Sequence, residues 1–225
     1  MSEVSVMTAF SLLRRAVMFE LRLYRSLFRW VTRRPDVAGD VEAFGYAQLV
    51  TPVMWLWIFA SAVEVPLVHV LIPWDTVRII ALVLSVWGLL WMVGLLASLN
   101  VYPHLFSPTA LRVRHGSSVD IALPWDSIAT ITAERRELPS SARTLQPRET
   151  ERGTDLAVAV SGQVNVHAVL RRPTSVPTPK GDMVIAELSF LVDEPRDFVR
   201  RARQHLTGEV SGEVTRRDRR PQGQG

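Results

Sequence analysis

A chain of 225 residues has room for one large domain or two small ones, and this one is 48% hydrophobic and 21% charged with a formal net charge of +4. Only Glu64, Asp75 and Arg78 of its 48 charged residues lie between Ala43 and Val101, which excludes a simple soluble globule and equally a collagen-like or disordered chain. The lack of cysteine excludes a disulfide framework, a thiolate zinc site and a cysteine nucleophile. Every basic residue except Lys180 is arginine. Arginine pairs phosphates bidentately, so anionic lipid is a natural partner. Nucleic acid is not expected, because no binding motif accompanies the arginines and they are spread over three regions.

From Met7 to Arg34 the apolar residues recur with helical period. At 100° per residue Arg14, Arg15, Arg22, Arg25, Arg29 and Arg33 fall within an arc of about 100°, opposite an apolar side that includes Phe10, Leu13, Val17, Leu21, Phe28 and Val31. Residues 1–42 therefore read as a basic amphipathic helix lying in the membrane interface, its arginines at lipid phosphates. The alternative is that its apolar face packs on the protein's own membrane helices or cytoplasmic domain. Glu20, inside the apolar arc, has no evident role in either reading.

Ala43 to Val63 and Ile79 to Val101 are uncharged runs long enough to cross about 30 Å of hydrocarbon. Residues 43–102 read as a transmembrane hairpin with spans at about 47–72 and 77–101. The arginine distribution places both termini in the cytoplasm of a multi-pass plasma-membrane protein. If the first span runs through to Ile72, Glu64 is intramembrane and level with Ser85, its expected hydrogen-bond partner; if it ends at Val63, Glu64 marks the outer interface. An intramembrane carboxylate is a candidate site, with Ser85 and His69 beside it. At five residues apart, however, Glu64 and His69 stand about 140° apart on a helix.

Beyond Pro103 the period changes to two. Leu111 and Val113, a turn at His115 to Ser118, then Val119, Ile121 and Leu123 predict a hairpin. Further strands are expected at Ile128 to Ala133, Leu156 to Val160, Val164 to Leu170 and Val184 to Val192, with loops at 137–154 and 171–182. A final helix opens at Pro195, carries an apolar stripe of Phe198, Val199, Ala202 and Leu206, and stops at Gly208. Residues 209–225 read as a disordered tail. Arg112 and Arg114, on the alternate face from Leu111 and Val113, are candidate anionic-lipid contacts.

Two spans followed by Leu111-Arg112-Val113-Arg114-His115-Gly116, then Leu123-Pro124-Trp125-Asp126-Ser127-Ile128, and Asp193-Glu194-Pro195-Arg196-Asp197-Phe198 opening a helix, resemble bacterial PH-like membrane proteins over about residues 45–207. The resemblance implies a cytoplasmic PH-like domain at 103–208, a small antiparallel and partly open barrel or sandwich of about seven strands closed by the C-terminal helix. It also implies a Glu and a His at the positions of Glu64 and His69, and no enzymatic activity. The whole reads as an α+β membrane protein.

The five histidines are scattered singly along the sequence, and no nucleophile elbow, zinc-protease, P-loop or dinucleotide motif is present. No catalytic set, cofactor or metal site is expected. The sequence favours a non-enzymatic module whose PH-like domain contacts a protein partner, a second copy of itself or anionic lipid at the bilayer. A transport accessory or intramembrane sensor using Glu64 and His69 is the alternative.

Overall fold

The computed structural model describes the backbone at residues 2–34, 36–37, 41–139 and 143–218, and side chains at 14, 17–34, 36–37, 41–139 and 143–208. The chain is α+β and divides into two compact units, one built from residues up to 36 with 47–102, the other from 37–46 with 103 onward.

The first unit holds three helices: α1 (Ser2–Val31), α2 (Thr51–Leu71) and α3 (Asp75–Val101). Pro52 suits the first turn of α2, where an N–H is unpaired in any case, and the helix continues past Pro66 to Leu71. Both α2 and α3 are long and apolar enough to cross a membrane. They turn large apolar side chains outward, among them Leu56, Trp57, Phe59, Val70, Ile79 and Val83. Ser61 Oγ of α2 lies 3.7 Å from Met92 Sδ of α3.

α1 packs along α3 rather than standing apart from it. Glu20 accepts a hydrogen bond from Trp87 Nε1 at 2.7 Å, the rings of Phe19 and Trp91 are 6.4 Å apart, and Leu23 fills the space above Gly94. Further along, the Asp36 N–H donates to Val101 O. Residue numbers rise together on both helices, so α1 and α3 are parallel and α1 begins at the end that carries the α2–α3 turn.

The second unit has two sheets. The first runs in the order β1 (Glu42–Phe44), β2 (His104–Phe106), β3 (Ala110–His115) and β4 (Val119–Pro124). Leu111 pairs with Leu123 and Val113 with Ile121, so the predicted hairpin holds. Its turn places Gly116 at φ +51°. The second sheet contains β5 (Ile128–Glu137), β6 (Leu145–Thr150), β7 (Gly153–Val158), β8 (Gln163–Thr178) and β9 (Gly181–Phe190), in the order β5-β8-β9-β7-β6. Inward residues of both sheets close one core, which includes Leu111, Ile121, Trp125, Leu156, Val166 and Phe190. Helix α4 (Pro195–Asp218) completes it with Phe198, Val199 and Ala202.

Several expectations are corrected. The two sheets do not close into a barrel, and they are not wholly antiparallel, since β7 and β9 run parallel. β1 is a strand that sequence gave no sign of. Residues 171–178 are not loop but the outer part of β8, pairing with β9 as far as Thr178 with Gly181. Pro173 and Pro177 are tolerated there because β5 has stopped pairing at Leu170, leaving an edge on which a missing N–H costs nothing. β6 occupies part of the other expected loop. Finally, α4 runs through Gly208 and Gly212 to Asp218, each glycine inside a helix costing only about 1 kcal/mol. Residues 219–225 of the expected tail lie outside the described residues.

Candidate functional site

In the helical unit the residues expected to cooperate remain apart. Glu64 and His69 are exposed and Ser85 is half-buried, and among the described residues no hydrogen bond or ion pair joins them. Glu64 lies well inside α2, seven residues before its end. The described residues contain no cluster of three or more His, Asp or Glu able to hold a metal ion.

Of the α1 arginines, Arg14, Arg22, Arg25 and Arg33 are exposed, while Arg29 is half-buried and pairs with Asp36 at 2.8 Å. The side chain of Arg15 lies outside the described residues. Glu20 gains a clear role: its Oε1 accepts from both Trp87 Nε1 and the Tyr24 hydroxyl, the latter at 3.1 Å. A carboxylate in the apolar arc is therefore the polar clasp between α1 and α3.

In the β unit, the hairpin carrying Arg112 and Arg114 packs against the segment that precedes α2. Arg112 reaches across to Asp120 with two hydrogen bonds, from Nε to Oδ1 at 3.2 Å and from Nη2 to Oδ2. Arg114, expected on a wet face, is buried at 4% exposure with Nε 3.6 Å from the same carboxylate. Arg114 shares a face of the hairpin with Arg112 and Asp120, as alternation predicts, but that end of the face is covered. Arg114 is not a surface contact for lipid, and Arg112 already has an anion.

Tyr46, His104 and His115 meet at that point. The Tyr46 ring lies 4.7 Å from His104 and stacks on His115 at 5.7 Å. The Tyr46 oxygen accepts from the Gly116 N–H at 2.7 Å. His104 Nδ1 accepts from the Arg114 N–H at 3.0 Å, which leaves Nε2 to carry the proton and donate to Leu191 O at 2.9 Å. Burial, assisted by neighbouring cationic groups, pushes the His104 pKa down to about 4, and burial does the same to His115. Burial raises the Tyr46 pKa well above its ordinary value. The cluster is thus neutral at physiological pH.

A second polar group lies on the five-stranded sheet. Asp155 is 1% exposed and accepts from Arg136 Nη1 at 3.0 Å and from the Ser189 hydroxyl at 2.9 Å. His167 Nδ1 lies 3.1 Å from Ser189 Oγ, and its Nε2 is 3.9 Å from Glu187 Oε1, which is itself 3.9 Å from Arg152 Nε. Serine, imidazole and carboxylates are together, yet Ser189 is fully buried and gives its proton to Asp155. That geometry satisfies buried charges and does not present a nucleophile. Its sequence signal was the polar alternation of His167 with Val166 and Ala168, and of Glu187 and Ser189 with Leu188. No family model matches the chain, and neither the curated proteins nor the solved structures provide a match.

Proposed function

We propose that this protein is a non-enzymatic module of the bacterial plasma membrane, anchored by α2 and α3, whose PH-like β unit makes protein contacts on the cytoplasmic side. The observation that carries the reading is the outward-facing apolar surface of both helices, attached to a β unit with a core of its own. Two sheets completed by a C-terminal helix are compatible with a PH-like architecture. Protein contact is favoured over anionic lipid at the β3–β4 hairpin, because Asp120 neutralises Arg112 and Arg114 is buried. The sensor reading is not favoured, since Glu64, His69 and Ser85 do not meet.

The direction of α1 alters one expectation. If α3 runs inward across the bilayer, the parallel α1 also runs inward beside it, which sets Ser2 toward the outer side and Arg33 and Arg34 at the inner end. Extraction of membranes at alkaline pH tests the anchor. Retention of the protein in the pellet is expected, and release into the supernatant would sink the reading.

A further inference from the structure

We propose that α1, α3 and α2 form a layer that pairs face to face with a second copy of this chain, Arg22 of each copy meeting Glu64 of the other at the depth of the hydrocarbon. The inference rests on α2 and α3 spanning the bilayer. It starts from the order of the helices: α3 contacts α1 through Trp87, Trp91 and Gly94, and contacts α2 through Met92, about 140° round its axis from Trp87. The three helices therefore lie nearly in one layer with α3 in the middle.

Two registers fix the depths. Glu20 opposite Trp87 and Leu23 opposite Gly94 set α1 against α3, and Ser61 opposite Met92 sets α2 against α3. Carried along the helices, Glu64 lies at about the level of Phe19 and Glu20, and Arg22 is roughly 4 to 5 Å further inward at 1.5 Å per residue. An arginine side chain spans that offset.

Direction comes from the helical wheel. α1 faces α3 through Phe19, Glu20 and Leu23, and Arg22 stands about 105° to one side of that line. α2 faces α3 through Ile58, Ser61 and Val65, and Glu64 stands roughly 90° to one side. α1 and α2 flank α3 on opposite sides and run in opposite directions, so both offsets turn toward the same broad face. Gly88 of α3 lies on that face too, and a Cβ there would meet nothing within 4 Å.

Within one chain Arg22 and Glu64 are held apart by the width of α3, and both are exposed. Charges facing hydrocarbon require partners. A two-fold axis parallel to the helices and in front of this face brings α1 of one copy over α2 of the other, at equal depth. Each Arg22 then meets a Glu64, twice over, as a two-fold interface demands. Gly88 of each copy, nearest the axis, lets the two α3 helices approach.

The test uses the full chain in lipid nanodiscs, with mass measured by mass photometry. Wild type is expected to be dimeric. Arg22→Glu and Glu64→Arg should each be monomeric, because the first puts two acids and the second two arginines in contact. Coexpression of those two variants under different tags should restore a dimer containing one of each, and the double variant should dimerise with itself. An independent readout leaves the charges intact: the chain has no native cysteine, so Gly88→Cys should crosslink between copies in oxidised membranes, and adding Glu64→Arg should abolish the crosslink. A monomeric wild type with no Gly88→Cys crosslink overturns the proposal, as do single variants that stay dimeric. Alkaline extraction of the same membranes separates the two failures, since a pelleted monomer refutes the dimer alone and a soluble protein refutes the anchor.

Discussion

Tyr46 shows how much one side chain can hold together in this protein. Its oxygen is the partner of the Gly116 N–H, and its ring lies against two neutral imidazoles, His104 and His115. Tyr46→Phe keeps the ring and orphans a buried donor, so a loss of about 1 to 3 kcal/mol is expected, read as a lower Tm of the β unit. The imidazoles set a pH dependence. An unfolded histidine titrates near 6.5, whereas His104 and His115 do so at about 4 when folded, so between these values the unfolded state binds more protons. Stability is complete above about pH 6.5 and falls as the pH drops toward 4, by an amount on the order of 3 kcal/mol for each imidazole. Thermal unfolding from pH 7 to pH 5 should show the decline. His115→Phe should flatten it, since the replaced ring has an Nδ1 buried without a hydrogen-bond partner. A slope unchanged by that substitution would assign the titration elsewhere. In the helical unit, a Cβ at Gly94 would sit 2.7 Å from Leu23 Cγ, so Gly94→Leu is expected to prise α1 from α3 and to expose Trp87, visible as a shift in tryptophan emission.

Among the elements, β1 is the least conspicuous and the most consequential. Phe44 packs at 4.5 Å on Phe106 and 4.9 Å on Phe198, while Glu42 pairs with Arg201 of α4 at 3.1 Å. Three residues thus join the first sheet to the closing helix. A fragment beginning at Pro103 lacks them and Tyr46, and is expected to expose apolar surface and unfold at lower denaturant than a fusion in which Val41 to Tyr46 is linked by a short turn to Pro103. Equal urea midpoints would show β1 to be dispensable. The reason β1 was illegible in the sequence is its partner: Glu42-Ala43-Phe44 has too little alternation to declare a strand, and its ladder lies with His104 to Phe106, far along the chain. Where pairing was local, as between Leu111 and Leu123, period two sufficed. The arginine stripe of α1 was equally legible, but its placement against α3 depended on Glu20, whose partner Trp87 no periodicity could name. Arg114 was assigned to solvent because alternation cannot register a residue from a distant segment covering the outer face.

For the molecule as a whole, the cysteine-free sequence makes orientation directly measurable. Ser2→Cys should react with a membrane-impermeant maleimide in intact cells, while Thr207→Cys should react only after lysis. The reverse pattern would return α1 to the cytoplasmic face. The pairing of Phe44 with His104 also means that the pair of apolar helices is an insertion between two paired strands, its two ends leaving from one end of their ladder. This has a consequence for biogenesis. A ribosome adding roughly 5 to 20 residues each second needs about 3 to 12 s to make the chain between those strands, and throughout that interval β1 has no partner. The first sheet can be zipped shut only after both apolar helices have been made, so completion of the β unit is timed by synthesis of the helical one.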